Sequence, residues 1–354
     1  MKLRMLCLTV CLSIFSMSAA LADTVMDVPR LQTAPPQFAK MPTTPPRRDV
    51  PKVPQVTAEK RIAINVASRM LTVYEGKTKI AMYPVGVGTP STPTPVGKYA
   101  VQNKEVNPTW IDPSNTAVQI PSGPDNPLGY RWIGFNGTYG IHGTNRPDTV
   151  GGNVSNGCVR MHEEDVEKVY DMVRVGTPVT VYYDRIVINS DADHTVSYYI
   201  YPDGYGWQPL SVGMVKKALK GYGVDTFASD ASISQKIARS DGEPTYVAKA
   251  YDLYVNGQKL SMRALQKDGI TYLPAVSIAS ALALDLQWHS EDGILTSPYG
   301  QALGIVKSDV VYISSTNAYA LFHLEGGLQP DLTYSLQSVA YEAKPTVTIT
   351  SDEG

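Results

Sequence analysis

The sequence predicts a mainly β protein with a few helices, followed by a smaller α+β part toward the C-terminal end. Three observations carry that prediction. Runs such as Arg61-Ile62-Ala63-Ile64-Asn65-Val66 and Val179-Thr180-Val181-Tyr182-Tyr183 alternate as strands do. Between Lys98 and Gly140 short strand-like runs are punctuated by Pro, Gly and Asn turns. Helical spacing is confined to a few places, among them Asp165–Val173, Val212–Leu219 and Ala275–Ala283.

The 354 residues suit two or three domains, and 43% hydrophobic with 18% charged side chains is ordinary core-forming material. A formal net charge of −2 excludes a broad basic surface for nucleic acid, which needs an excess of Lys and Arg. Tyrosine (22) far outnumbers phenylalanine (5), so the aromatics are polar-tipped and suit sheets and grooves that meet polar ligands.

In chain order, residues 1–22 are laid out as a secretory signal peptide. Lys2 and Arg4 lead, Leu6 to Phe15 is largely apolar, and Ala20-Leu21-Ala22 is a small-x-small cleavage site. The apolar run is shorter than the roughly 20 residues a spanning helix needs, so the expectation is export to a periplasm or cell wall. Residues 23–58 carry eight prolines and little apolar periodicity, which predicts an extended linker.

Residues 59–184 are expected to form the first folded unit. Arg61–Val66, Met70–Tyr74 and Ile80–Val85 read as a meander turning at Glu75-Gly76. The following Gly86-to-Gly97 stretch is a Gly/Pro loop; without a Gly-Lys-Thr ending or a helix after it, it is no phosphate loop. Trp110, Tyr130, Trp132 and Phe135 are the large side chains available to line a groove, with Trp110 and Tyr130 taken as substrate-binding candidates. Glu163 and Glu164 place negative charge at the start of the Asp165–Val173 helix, and Val179–Tyr183 closes the unit.

Two of the three cysteines, Cys7 and Cys11, lie in the signal segment, so the exported protein carries one thiol, Cys158. An unpaired cysteine in an oxidising compartment needs a reason. His142, 16 positions upstream, is the natural base to take its proton and return it to a leaving amine. Gly143 leaves approach to the imidazole clear, Gly157 permits a sharp turn, and the amides around Gly157 and Cys158 are candidates for an oxyanion hole. Arg160, two residues past the thiol, shares its face on a strand and could hold a substrate carboxylate or brace the loop. His162 belongs to the helix start, and a metal site of His142, Cys158 and His162 lacks structural-zinc spacing, so no metal and no cofactor are expected. Asp112 and Asp148 read as turn formers.

Ile141-His142-Gly143-Thr144-Asn145 followed by Ser155-Asn156-Gly157-Cys158-Val159-Arg160 resembles the L,D-transpeptidase family with the YkuD-type catalytic domain. Val85-Gly86-Val87-Gly88, Thr94-Pro95-Val96-Gly97 and Asn107-Pro108-Thr109-Trp110 add to the resemblance, which covers about residues 59–184. It implies a β-sandwich-like catalytic domain, Cys158 as acyl-accepting nucleophile and His142 as base, oriented by a backbone carbonyl for which Gly143 is the position to inspect. Ser155 and Gly157 match the family's Ser and Gly around the nucleophile. Asn156 stands where a second histidine is frequent, and Arg160 fits the branch of the family that carries arginine there.

The resemblance also implies the reaction. Cys158 attacks the L-centre carbonyl of the third-position diamino acid of a peptidoglycan tetrapeptide stem and expels D-alanine. An amine of another stem then takes the acyl group in a 3→3 cross-link. Acylation of Cys158 by carbapenems is a corollary. Two alternatives remain open: an L,D-carboxypeptidase or wall-protein attachment by the same site, and a non-catalytic wall-binding scaffold.

After Asp184, residues 185–247 read as a partly helical connecting segment. Within 248–343, the order Leu253-Tyr254-Val255-Asn256-Gly257, Gly269–Pro274, the Ala275–Ala283 helix and Leu286-Gln287-Trp288 is similar to the copper-amine-oxidase N-terminal-like domain. In that setting the domain is a non-catalytic appendage and implies no copper. It is expected to serve wall, partner or self contacts, with residues 344–354 as a tail.

Overall fold

The computed structural model describes residues 59–340. The expected signal peptide, Pro-rich linker and tail lie outside the described residues.

In the first part, β1 (Lys60–Asn65), β2 (Met70–Glu75) and β3 (Thr78–Pro84) make the antiparallel meander. The short β4 (Val87–Gly88), β5 (Gly97–Ala100) and β6 (Asn103–Val106) follow. Next, β7 (Trp110–Ile111) and β8 (Gln119–Ile120) pair only with each other, as a ribbon. The hairpin of β9 (Arg131–Asn136) and β10 (Tyr139–His142) turns at Asn136-Gly137, with Gly137 at φ +56. Then come β11 (Asn153–Ser155), β12 (Val159–Arg160), helix α1 (Glu163–Met172) and β13 (Pro178–Tyr182). Helix α1 begins two residues before its expected start, so Glu163, Glu164 and Asp165 all fall in the first turn, beside its unpaired amides.

These strands form two main sheets, ordered β3-β2-β1-β13-β5 and β12-β10-β9-β6. One core lies between them. The first sheet contributes Ile62, Ile64, Leu71, Val73, Val179 and Val181; the second contributes Ile133, Phe135, Ile141 and Val159. Val166 and Val169 of α1 join the same cluster. Burying one such side chain contributes about 1.5–3 kcal/mol, so the inner faces hold the sandwich together and leave the outer face of the second sheet for other uses.

The later part is built on a seven-stranded sheet. Its order is Ile186–Ser190, Thr195–Ile200, Thr245–Tyr251, Ala264–Lys267, Ile270–Pro274, Val310–Ser314, Ile305–Lys307. Alternating side chains feed two cores. Leu265, Tyr272 and Tyr312 face one that includes Val215, Leu219 and Ile233 of the helices Val212–Lys220 and Asp230–Arg239. Leu273 and Ile313 face the other, with Ile278 and Phe322. Residues 185–247 therefore bring two strands as well as two helices, and the sheet runs continuously across position 247. Among the described residues no helix is long and apolar enough to cross a membrane.

Candidate active site

The pairing of β10 with β12 sets the site. The two run parallel, with Ile141 opposite Val159 and His142 opposite Arg160. Ile141 and Val159 point into the core, both fully buried. Since strand side chains alternate, Gly140, His142, Cys158 and Arg160 share the opposite face. The thiol then lies across from Gly140, with the imidazole one step diagonally along.

His142 is itself buried, and its Nδ1 lies 2.6 Å from the Gly143 carbonyl oxygen. A carbonyl only accepts, so Nδ1 carries the proton and Nε2 keeps a free lone pair. Burial drives the imidazole pKa down to about 4, with the Gly143 carbonyl opposing and the Arg160 charge assisting. The ring stacks on Trp132, its register partner on β9, at 5.8 Å between centroids and 20° between planes. Gly140 makes room for that indole, since a Cβ there would come within 2.5 Å of two of its ring carbons.

Cys158 sits at the end of a tight loop. Gly157 has φ +108, and a Cβ on it would fall 2.4 Å from the Tyr139 ring, so both backbone and space require glycine. The buried Ser155 hydroxyl donates to the Cys158 carbonyl at 2.6 Å and accepts from the Gly157 amide at 3.1 Å. That bond occupies the Gly157 amide, so the oxyanion expectation narrows to the amide of Cys158 itself, while Asn156 is exposed. The thiol lies 3.6 Å from the Thr138 carbonyl oxygen. Burial raises its pKa, opposed by the Gly140 amide and the Arg160 charge. Near neutral pH the pair is thus a neutral thiol beside a neutral imidazole.

Arg160 is fixed mainly through its backbone, which exchanges two 2.8 Å bonds with Gly86. Its Nη1 reaches Thr149 Oγ1 at 3.4 Å, and its buried Nε has no partner. Glu163, expected only as a helix-start charge, stands behind Gly143. A Cβ on Gly143 would lie 1.9 Å from Glu163 Oε1, so the small residue there leaves room for that carboxylate rather than for approach to the ring. Its Oε2 accepts from the Tyr130 amide at 3.1 Å, and burial raises its pKa.

Trp110 lies on the β7–β8 ribbon and Tyr130 just before β9; neither makes a hydrogen bond or ring contact with His142 or Cys158. The aromatic against the imidazole is Trp132. A signal for it was present in the sequence, where Trp132-x-Gly134 faces Gly140-x-His142 across an Asn-Gly turn. Asp148 is held by Arg146 at 3.0 and 3.1 Å, and Asp112 closes a turn on Ser114. His162 precedes α1, and among the described residues no group of three or more His, Cys, Asp or Glu side chains could hold a metal.

The neutral pair makes a pH prediction. An imidazole accepts a proton only when unprotonated, so any acylation of the thiol that uses His142 as base should rise in kcat/KM as pH climbs through about 4. An exposed histidine would place that limb near 6.5. Single-turnover rates between roughly pH 3.5 and 8 decide the matter, and a limb at the ordinary histidine value would contradict the buried neutral imidazole.

Comparison with known proteins places the chain in a family. The family model for the YkuD L,D-transpeptidase catalytic domain matches residues 59–181. YqjB of Bacillus subtilis, named as an L,D-transpeptidase, is 40% identical over 131 residues, covering 35% of this chain and 72% of YqjB. ErfK/SrfK of Salmonella typhimurium, also named as an L,D-transpeptidase, is 28% identical over 225 residues, covering 54% of this chain and 68% of that protein. The NMR structure of the catalytic domain from the E. faecium L,D-transpeptidase is 26% identical, covers 36% of this chain and 99% of that one, and gives a TM-score of 0.30. The chain spans between 46% and 68% of the length of the first curated relatives it matches. The chain belongs to the L,D-transpeptidase family, with the YkuD catalytic domain at residues 59–181.

Proposed function

We propose that this protein is an exported peptidoglycan L,D-transpeptidase that works in the periplasm or cell wall with Cys158 as nucleophile and His142 as base. The observation that carries the reading is the shared face of thiol and imidazole, with Nδ1 tied to the Gly143 carbonyl and Nε2 left free. Cys158 Sγ attacks the L-centre carbonyl of the third residue of a tetrapeptide stem while its proton passes to His142 Nε2. The Cys158 amide, which has no acceptor among the described residues, faces the oxyanion. The imidazolium then protonates the D-alanine amine as the C–N bond breaks, leaving a thioester on Cys158. An amine of a second stem attacks that thioester, giving a 3→3 cross-link and freeing the thiol.

Arg160, with Trp110 and Tyr130, is assigned to the donor stem. The unpartnered Arg160 Nε offers a cation for its carboxylate, although the backbone ladder to Gly86 also suits a brace. No cofactor enters any step. The sheet and helices beyond residue 184 are assigned to wall or envelope-protein contacts.

Incubation of the mature protein with purified disaccharide-tetrapeptide, followed by mass spectrometry, tests the acceptor. A dimer lacking one D-alanine is the expected product. Tripeptide without dimer would make the enzyme an L,D-carboxypeptidase, and bound but unchanged substrate would make it a scaffold.

A further inference from the structure

The nucleophile loop is not held by the catalytic unit alone. After the strand Thr195–Ile200, a loop at residues 201–208 returns to the catalytic sandwich, and Tyr205 packs against its core. The loop is tightly built. Asp203 Oδ1 accepts from the Tyr183 hydroxyl at 2.6 Å and the Trp207 amide at 3.0 Å. Its Oδ2 accepts from the Gln208 amide at 2.9 Å and lies 3.5 Å from Arg185. The Tyr205 ring stacks on Tyr183 at 5.4 Å and meets Trp207 edge-on at 4.7 Å. The tyrosine is therefore delivered to a fixed place.

Its hydroxyl ends inside the 88–94 turn, which borders the strand that leads to Cys158. It donates to the Gly88 carbonyl at 2.7 Å and accepts from the Thr94 amide at 3.3 Å. Thr94, fully buried, accepts from the Gly88 amide at 2.9 Å, so the two ends of the 88–94 turn are locked together around the phenol. Gly88 pairs with Ser155 in the β4–β11 ladder. From the same turn, the Thr89 amide and the Thr92 hydroxyl both donate to the Ser155 carbonyl, at 2.9 and 3.0 Å. Ser155 in turn holds Gly157 and Cys158 through its hydroxyl. A contiguous set of hydrogen bonds thus runs from a side chain beyond residue 184 to the backbone that aims the thiol.

We propose that Tyr205 is a positioning residue for Cys158, clamping the 88–94 turn onto Ser155 and so fixing the conformation of Gly157 and the thiol. The inference rests on Cys158 being the nucleophile. It makes the region after residue 184 part of the working active site rather than a passive appendage.

Tyr205→Phe in the full chain is the test, because it keeps both ring contacts and removes only the hydroxyl. Losing the hydroxyl loosens the clamp, and a small misplacement of a reacting group is felt strongly in rate, so D-alanine release should slow by about tenfold. KM for the tetrapeptide donor should stay within about twofold, since the clamp acts on the nucleophile and not on binding. A variant that releases D-alanine at the wild-type rate would overturn the proposal, even if its melting temperature fell, because Tyr205 would then be structural only. Alkylation of Cys158 by iodoacetamide, run in parallel, needs no substrate and should change by about threefold or more. If wild-type protein shows no turnover, the assigned reaction fails. The alkylation rate then decides the Tyr205 proposal by itself, and an unchanged rate rejects it.

Discussion

His142→Asn is expected to slow acylation of Cys158 by about 10²–10⁴-fold, the usual contribution of a positioned general base. The size of the effect follows from the resting state. Burial raises the thiol pKa and holds the imidazole neutral, so little thiolate waits for substrate and attack by the proposed nucleophile would draw on proton transfer to Nε2. The variant should also respond to pH differently. Without the base, its rate climbs with hydroxide as the thiol ionises, whereas the wild-type rate is level over the same range once His142 is neutral. Burst measurement of D-alanine release from about pH 5 to 10 separates the two profiles. A variant within tenfold of wild type at neutral pH, with the same profile, would show that another group takes the proton.

Gly157→Ala should be the most damaging small substitution in the loop. A φ of +108 is strained for any residue with a Cβ, costing about 1–3 kcal/mol. Here the added methyl also meets Tyr139 Cε1 at 2.4 Å, so either that ring or the backbone leading into Cys158 must shift. Displacement of a reacting group by about 1 Å costs about 10²-fold in rate. Gly176→Ala is the matched control, with φ +91 and nothing within 4 Å of the added methyl. It should lower the melting temperature and keep the acylation rate. Equal rates in the two variants would mean that Gly157 serves folding alone.

The sandwich and the candidate site were readable in the sequence where the signals are local. Ile62 and Ile64 alternate into the core, the acidic residues mark the start of α1, and His142 and Cys158 stand in short strings that the register brings to one face. What stayed hidden depends on pairing distant in sequence. Trp132 becomes the partner of His142 only because β9 and β10 register those residues opposite each other. Glu163 fits only because Gly129 and Gly143, 14 positions apart, both give way to its carboxylate. The strands at Ile186–Ser190 and Thr195–Ile200 lie within the stretch expected as a connecting segment, and the inward alternation of Val196, Tyr198 and Ile200 gains meaning only from the sheet that pairs them. Nothing local in Tyr205 shows that it reaches Gly88, 117 residues earlier.

The role of Cys158 as nucleophile is tested most directly by intact-protein mass spectrometry of the mature protein during turnover of disaccharide-tetrapeptide, with peptide mapping of the adduct. A thioester-linked disaccharide-tripeptide is expected on Cys158, absent from Cys158→Ala, which also releases no D-alanine. An adduct on any other residue, or D-alanine release that survives in Cys158→Ala, would contradict it.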